Sequence, residues 1–303
     1  MDVTKSDISK RLIIVVGPTA IGKTALSIQL AQHYSCPILS FDSRQFYEEM
    51  SIGNARPNNE ELAAAKHYFI GNRTTENRYT AGMFEKDALH QLSKIFENHD
   101  TCIAVGGSGL YINALAFGID NIPSSESVRA ELEHRWQTEG LETLQKEVLT
   151  IDPEYYEEAD MQNPRRVMRA LEAFQITGKK LSQLRQRSPK QRPFKMDWIG
   201  LRLPRTDLFE RINKRVDLML DAGLEAEAKK LFPLRERKAL KTVGYRELFD
   251  YFEEKHTKDR AIELIKRNTR IYAKRQITWF EKNYAVRWFQ PNEISKIIEV
   301  LDK

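Results

Sequence analysis

Arg11-Leu12-Ile13-Ile14-Val15-Val16 runs directly into Gly17-Pro18-Thr19-Ala20-Ile21-Gly22-Lys23-Thr24, and the reading of these two segments decides the fold. A short β-branched apolar run that ends in glycine reads as a buried parallel strand. The segment after it has two glycines followed by lysine and threonine. That spacing suits a loop whose backbone N–H groups cradle phosphate oxygens at the start of a helix. Lys23 adds a point charge there, and the Thr24 hydroxyl suits Mg²⁺. A helix is predicted over 25–34. Such a loop indicates a polyphosphate ligand and leaves open what is done with it.

Outward from the loop, 37–41 (PILSF) reads as a second buried strand and 101–105 (TCIAV) as a third. Between them, 80–98 reads as a helix with Phe84, Ala88, Leu92 and Ile95 on one face. Strands alternating with helices imply an α/β fold, with a parallel sheet flanked by helices on both faces. The third strand ends in Gly106-Gly107-Ser108-Gly109, and no carboxylate follows until Asp120. A nucleotide hydrolase usually ends such a strand with an acid that helps to hold Mg²⁺, so the motor and helicase classes are disfavoured. An acid does follow the second strand, at Asp42. Carboxyl ends of parallel strands face the ligand crevice. Asp42 is therefore a candidate general base or metal partner, with a cap for the next segment as the alternative.

The pattern changes over 123–192, which reads as helices without a convincing strand. Asn163-Pro164 is a helix start, with Asn as N-cap and Pro in the first helical position, and Gly178 ends that helix. Pro189 and Pro193 bracket a return to strand at 196–203. Helices are predicted over 206–222, closed by Gly223, and over 258–282, with a last strand at 286–289. The expected organisation is a core of 1–122 and 193–303 carrying an inserted helical domain at 123–192.

The net charge of +5 conceals an asymmetry. Residues 1–161 carry −10, and residues 162–303 carry +15. The densest basic stretch, 162–195, has ten Lys and Arg against one acid, Glu172. A polyanionic partner accounts for this, and nucleic acid is the commonest one. No run approaches the roughly 18 apolar residues of a membrane span, and residues 1–10 do not read as a secretory leader. Cys36 and Cys102 lie in apolar strand-like runs. They are expected to be buried, reduced thiols of a cytosolic protein.

Taken in order along the chain, the motifs are Gly17–Thr24 in the loop, Asp42-Ser43-Arg44-Gln45, Ile52-Gly53-Asn54-Ala55-Arg56-Pro57, Gly106-Gly107-Ser108-Gly109-Leu110-Tyr111, Gln162-Asn163-Pro164-Arg165-Arg166, Arg211-Ile212-Asn213-Lys214-Arg215, Val243-Gly244-Tyr245-Arg246 and Ala273-Lys274-Arg275-Gln276-Ile277-Thr278-Trp279. The loop alone is unspecific, whereas the ordered set is specific. It resembles the bacterial tRNA dimethylallyltransferase (tRNA isopentenyltransferase) family over about 12–289.

The resemblance implies a P-loop NTPase-like sheet whose helical insertion grips the anticodon stem-loop of tRNA. It implies transfer of a dimethylallyl group from dimethylallyl diphosphate, with Mg²⁺, to N6 of the adenosine 3′ of the anticodon. The enzyme would act as a cytoplasmic monomer, off the membrane. The family's general base falls on Asp42, its loop threonine on Thr19 and its diphosphate arginine on Arg215. Gly17, Pro18, Ala20, Ile21, Gly22, Lys23 and Thr24 complete the diphosphate site, with Thr24 on the metal. Helical spacing alone would leave both Arg211 and Arg215 as solvated arginines, and the role of Arg211 stays open. The family's RNA contacts fall on Asp42, Ser43, Arg44, Gln45, Ser108, Arg129, Gln162, Asn163, Pro164, Arg165, Arg166, Lys241, Gly244, Tyr245 and Arg246. Asn163 and Pro164 would suit any helix start, and Tyr245 equally suits a core. Lys266, Arg267, Arg270, Lys274 and Arg275 divide between RNA and solvent, and Trp279 and Phe280 are expected in the core. The chain departs from the family's usual residues at Ser108, Asn54 and Arg44. A small-molecule kinase with the same loop would explain residues 11–105 but not the basic insertion, and an RNA-binding ATPase would lack its strand-end acid.

Overall fold

The computed structural model describes residues 9–185 and 188–303. The first eight residues, which belong to the segment read for a leader, and Arg187 of the basic stretch lie outside them. Contacts divide the chain into two units, 1–117 with 191–303, and 118–190.

The larger unit is built on a parallel sheet of six strands: β1 (Arg11–Val16), β2 (Ile38–Ser40), β3 (His67–Tyr68), β4 (Thr101–Val105), β5 (Lys195–Leu201) and β6 (Arg287–Phe289), in the order β3-β2-β4-β1-β5-β6. β1 is central, with Arg11 in register with Thr101 on one side and Lys195 on the other. Period-two alternation sends its side chains to two cores. Leu12, Ile14 and Val16 pack with Phe41, Phe46 and Phe84, while Ile13 and Val15 pack with Leu26, Leu30 and Ile212. Residues 12–16 are fully buried, which is why β1 reads as continuously apolar.

The covering helices are α1 (Lys23–His33), α2 (Asn59–Ala64), α3 (Ala81–Ile95) and α4 (Gly109–Phe117). The smaller unit contributes α5 (Glu126–Glu139), α6 (Leu141–Ile151), α7 (Pro153–Glu158), α8 (Pro164–Thr177) and α9 (Leu181–Leu184). Back in the larger unit come α10 (Arg205–Asp221), α11 (Leu224–Leu231), α12 (Tyr245–Phe252), α13 (Lys258–Asn283) and α14 (Ile294–Leu301). Thr80 caps α3 by accepting from Met83 N–H, and Phe84, Ala88, Leu92 and Ile95 form its buried face. β3, α2, α11, α12 and α14 were not legible beforehand. β3 is too short to show a period, and the helices are six to eight residues long.

The smaller unit has its own core around Leu132, Val148, Tyr155 and Leu171. It begins at Gly118, ahead of the expected Pro123, and ends at Lys190. Arg169 explains the earlier start. Its guanidinium holds the carbonyls of Ile122 and Pro123 at 2.7 and 2.8 Å, and Lys190 holds that of Ile119 at 3.1 Å. Arg192 belongs to the larger unit, where it bonds the Ala114 and Leu115 carbonyls and pairs with buried Glu85 at 2.8 Å. Cys36 and Cys102 are buried free thiols, and no helix among the described residues is long and apolar enough to cross a membrane.

Candidate active site

The loop between β1 and α1 is shaped by backbone conformations that most side chains avoid. Gly17 has φ +148° and Gly22 φ +106°, and a β-carbon on Gly17 would lie 2.9 Å from the Leu201 carbonyl oxygen. The loop therefore rests directly on β5. Gln276 of α13 ties it to the turn after β4: its Oε1 accepts the Thr19 N–H at 2.9 Å, and its Nε2 donates to the Gly107 carbonyl at 2.9 Å. Arg211 donates from Nε to the Ala20 carbonyl at 3.0 Å, so the arginine left open by spacing braces the loop. Lys23 Nζ donates to the Pro18 carbonyl at 2.8 Å.

A cavity of about 550 Å³ opens at the carboxyl ends of the strands, lined by the loop from Thr19 to Thr24 and by Asp42, Arg215 and Tyr272. Cradle and carboxylate thus face one space. Burial pushes the Lys23 amine down to about 8; the charge of Asp42 opposes the shift and that of Arg215 adds to it. Burial also lowers Arg215, against the pull of Asp42 and Glu61. Cations held in so poorly solvated a place favour an anion between them. Tyr272 was not singled out beforehand. The residue is 41% exposed, yet the packing around its hydroxyl and the nearby Asp42 carboxylate push that hydroxyl well up, while Arg44 and contacts with Ser108 and Gln276 pull it down.

Asp42 sits at the first position of a tight turn, where its Oδ1 accepts the Arg44 N–H at 3.0 Å. The capping alternative and the site position therefore coexist, because one carboxylate oxygen suffices for the turn. Ser108 Oγ accepts the Ser43 N–H at 2.9 Å and donates to Ser43 Oγ at 3.0 Å, linking this turn to the one after β4. Two of the departing residues belong to one network. Asn54 Nδ2 donates to the Arg44 carbonyl at 2.9 Å, and Arg44 donates to the Ala239 carbonyl at 2.8 Å. Gln45 reaches Ala55 O at 3.1 Å.

Behind this network lies Glu227 of α11. It accepts from the N–H groups of Ser51, Ile52 and Gly53, from Ser51 Oγ, and from Tyr245 Oη at 2.6 Å. Tyr245 is fully buried. It is a core residue, and its place among the expected RNA contacts is corrected accordingly. Lys241 and Arg246 are exposed, and each has an acid at 3.0 Å, Glu236 and Glu247 respectively. The Gly244 N–H donates to Glu247 at 2.8 Å. Trp279 departs from its expectation as well. Phe280 is buried, but Trp279 is 39% exposed and lies over Gly109, where a β-carbon would meet its indole at 2.1 Å.

Within the smaller unit, Asn163 caps α8 by accepting the Arg165 N–H at 3.1 Å, and Pro164 opens it. Arg129 pairs with Glu172 at 2.9 Å, as does Arg169 at 2.6 Å. The lone acid of the basic stretch is thus a buried hub, and Arg129 is held by it. Gln162, Arg165 and Arg166 are exposed.

The family model described as IPP transferase matches residues 45–283. The tRNA dimethylallyltransferase of Christiangramia forsetii is 47% identical over 96% of this chain and 96% of its own, and that of Cytophaga hutchinsonii is 44% identical over 98% of each. The chain belongs to the IPP transferase family. A crystal structure of the family's tRNA isopentenylpyrophosphate transferase from Bacillus halodurans superposes with a TM-score of 0.71, at 35% identity over 97% of this chain and 95% of that one. A eukaryotic dimethylallyltransferase structure shares the fold, with a TM-score of 0.76 at 24% identity, over 95% of this chain and 75% of that one.

Proposed function

We propose that this chain transfers a dimethylallyl group from dimethylallyl diphosphate to N6 of the adenosine 3′ of the anticodon in tRNA, releasing diphosphate. The observation that carries this reading is the shared cavity, with Asp42 on one wall and Lys23, the loop and Arg215 on the others. The names of the relatives supply the donor and acceptor classes.

An allylic C–O bond breaks readily because the double bond stabilises the cation left behind. The burden is then the charge gathering on the departing diphosphate. Lys23, Arg215 and the loop's remaining N–H groups would meet it in a poorly solvated place. Asp42 keeps one carboxylate oxygen outside its turn to accept the N6 proton. Tyr272 would help to place the base, and Thr19 the donor, since proximity matters for so weak a nucleophile.

A divalent cation fits the donor set. Thr24 lines the cavity with the cradle, and its hydroxyl is an oxygen donor of the kind such a cation takes. Among the described residues no three His, Cys, Asp or Glu side chains converge on a metal, so Mg²⁺ would be held by Thr24 and phosphate oxygens. Bound there, it would neutralise charge on the leaving group. Exposed Gln162, Arg165 and Arg166 would meet the anticodon stem-loop, with Arg129 and Asn163 shaping the surface beneath. Ser43, Arg44, Gln45 and Ser108 would line the approach of the base. Since cradle, base and arginine all come from one chain, a monomer suffices, and a tRNA substrate suits the cytoplasm.

Labelled dimethylallyl diphosphate tests the reading directly. Label appearing in tRNA at that adenosine supports it. ATP consumption without transfer would give the chain to the kinases or ATPases.

A further inference from the structure

One carboxylate fixes the loop that in turn holds the Asp42 turn. Glu227 Oε2 accepts the N–H groups of Ser51 and Ile52 and the Ser51 hydroxyl, and Oε1 accepts the Gly53 N–H and the Tyr245 hydroxyl, at 2.6 to 2.9 Å. Burial pushes this carboxyl up, but the Tyr245 hydroxyl, the Ile52 and Gly53 N–H groups and the Ser51 hydroxyl outweigh it and hold the group below the usual carboxylate range. Glu227 is therefore charged, and hydrogen bonds to a charged acceptor are about twice as strong as neutral ones. A β-carbon on Gly53 would fall 2.5 Å from the buried Tyr245 ring. The loop thus lies directly on the phenol while the carboxylate grips its main chain.

Two side-chain links run from this loop to Asp42. Asn54 follows the gripped residues. Its Oδ1 accepts the Arg56 N–H at 3.0 Å, and its Nδ2 donates to the Arg44 carbonyl at 2.9 Å. Arg44 gives its own N–H to Asp42 Oδ1 at 3.0 Å. The second link is Gln45. Its Nε2 donates to the Ala55 carbonyl at 3.1 Å, and its Oε1 accepts from Ser40 Oγ at 3.2 Å. Ser40 Oγ also accepts the Asp42 N–H at 3.3 Å. The carboxylate of Asp42 is thus tied to the loop through Arg44 and Asn54, and its main chain through Ser40 and Gln45. Asp42, Gln45 and Asn54 line the cavity, whereas Glu227 is set back from it.

A carboxylate with one oxygen in its turn has the other for a proton, so the turn decides where that oxygen points. A general base must come within hydrogen-bond reach of the proton it takes, and a misplacement of about 1 Å can cost roughly 10² in rate.

We infer that Glu227 is a positioning residue of the transfer reaction: it holds the 51–54 loop, and Asn54 and Arg44 carry that hold to Asp42. This deepens the transfer reading and rests on it.

The test is single-turnover transfer of labelled dimethylallyl diphosphate to saturating tRNA, beside equilibrium tRNA binding. Glu227→Gln sets an amide among the donors that the carboxylate now accepts. Asn54→Ala breaks the path beyond the clamp, and it serves alone if Glu227→Gln does not fold. Each should slow transfer by about tenfold or more, with tRNA affinity unchanged. Combined with Asp42→Asn, neither should slow it further by more than about twofold, because the base that they aim is gone. A role confined to stability gives the same factor in both backgrounds and overturns the inference. A native rate in Asn54→Ala overturns it as well. If the native protein transfers no label, the transfer reading fails and this inference falls with it. If it transfers and the variants match it, only the role of Glu227 is lost.

Discussion

Gln276 Oε1 accepts the Thr19 N–H at 2.9 Å across 257 residues of sequence. One donor of the phosphate loop is therefore taken by α13, and the same amide holds the Gly107 carbonyl. The loop's shape depends on a helix near the far end of the chain. Gln276→Ala would leave buried main-chain groups without partners, at a cost of about 1–3 kcal/mol each. We expect kcat/KM for the donor to fall by about tenfold or more. Steady-state kinetics at saturating tRNA checks this, and an unchanged value would make the amide dispensable.

Asp42→Asn separates the two uses of this carboxylate. An amide oxygen can still accept the Arg44 N–H, so the turn survives, while the proton acceptor is lost. Single-turnover transfer should slow by about 10²–10⁴ with tRNA affinity intact. A normal rate would remove Asp42 from the chemistry.

The depressed Lys23 amine gives a pH dependence of known sign. Below about 8 the lysine is charged both with and without an anion; above it, the free protein loses that proton. A bound anion favours the charged form, so binding must recapture the proton. Affinity for inorganic diphosphate should therefore fall as pH rises past about 8. In the ligand-free protein, the same depression makes this group's contribution to stability rise with pH between about 8 and 10.5, because the unfolded chain binds more protons there. Lys23→Met should bind more weakly and lack this decline. The same decline in the variant would assign it to other groups.

Tyr245→Phe removes the hydroxyl on Glu227 while keeping the ring that fills the core. It should destabilise the protein by about 1–2 kcal/mol in urea denaturation and leave tRNA affinity unchanged. Loss of tRNA binding by a variant of native stability would restore Tyr245 to the RNA surface.

Arg165 and Arg166 are exposed at the start of α8. Replacing both with Ala should weaken tRNA binding and flatten its salt dependence by roughly 0.7–0.9 log units per lost phosphate contact. An unchanged slope would place them off the RNA.

What was legible in the sequence was local. The loop, its flanking strand and helix, and Asp42 at a strand end are set by adjacent residues, and their order carries the geometry. Gln276, Arg211 and Glu227 act on main-chain groups far away in sequence, so no spacing announces them. β3 has only two residues, which leaves no period to read. Tyr245 could be read two ways and Trp279 was misplaced, for a common reason. Aromatic side chains suit both a core and a binding face, and only the neighbours decide. A glycine under Trp279 admits an indole at the surface, whereas a carboxylate above Tyr245 gives a phenol a reason to stay inside.

The strand order acts as a ruler. β4 lies between β1 and β2, so the phosphate loop and Asp42 follow strands that are two apart, roughly 10 Å. That interval is fixed by hydrogen bonds between strands, which side-chain changes leave in place. Substitutions that reshape either turn can therefore tilt the loop or Asp42, but the span between the strands beneath them stays set by the main chain.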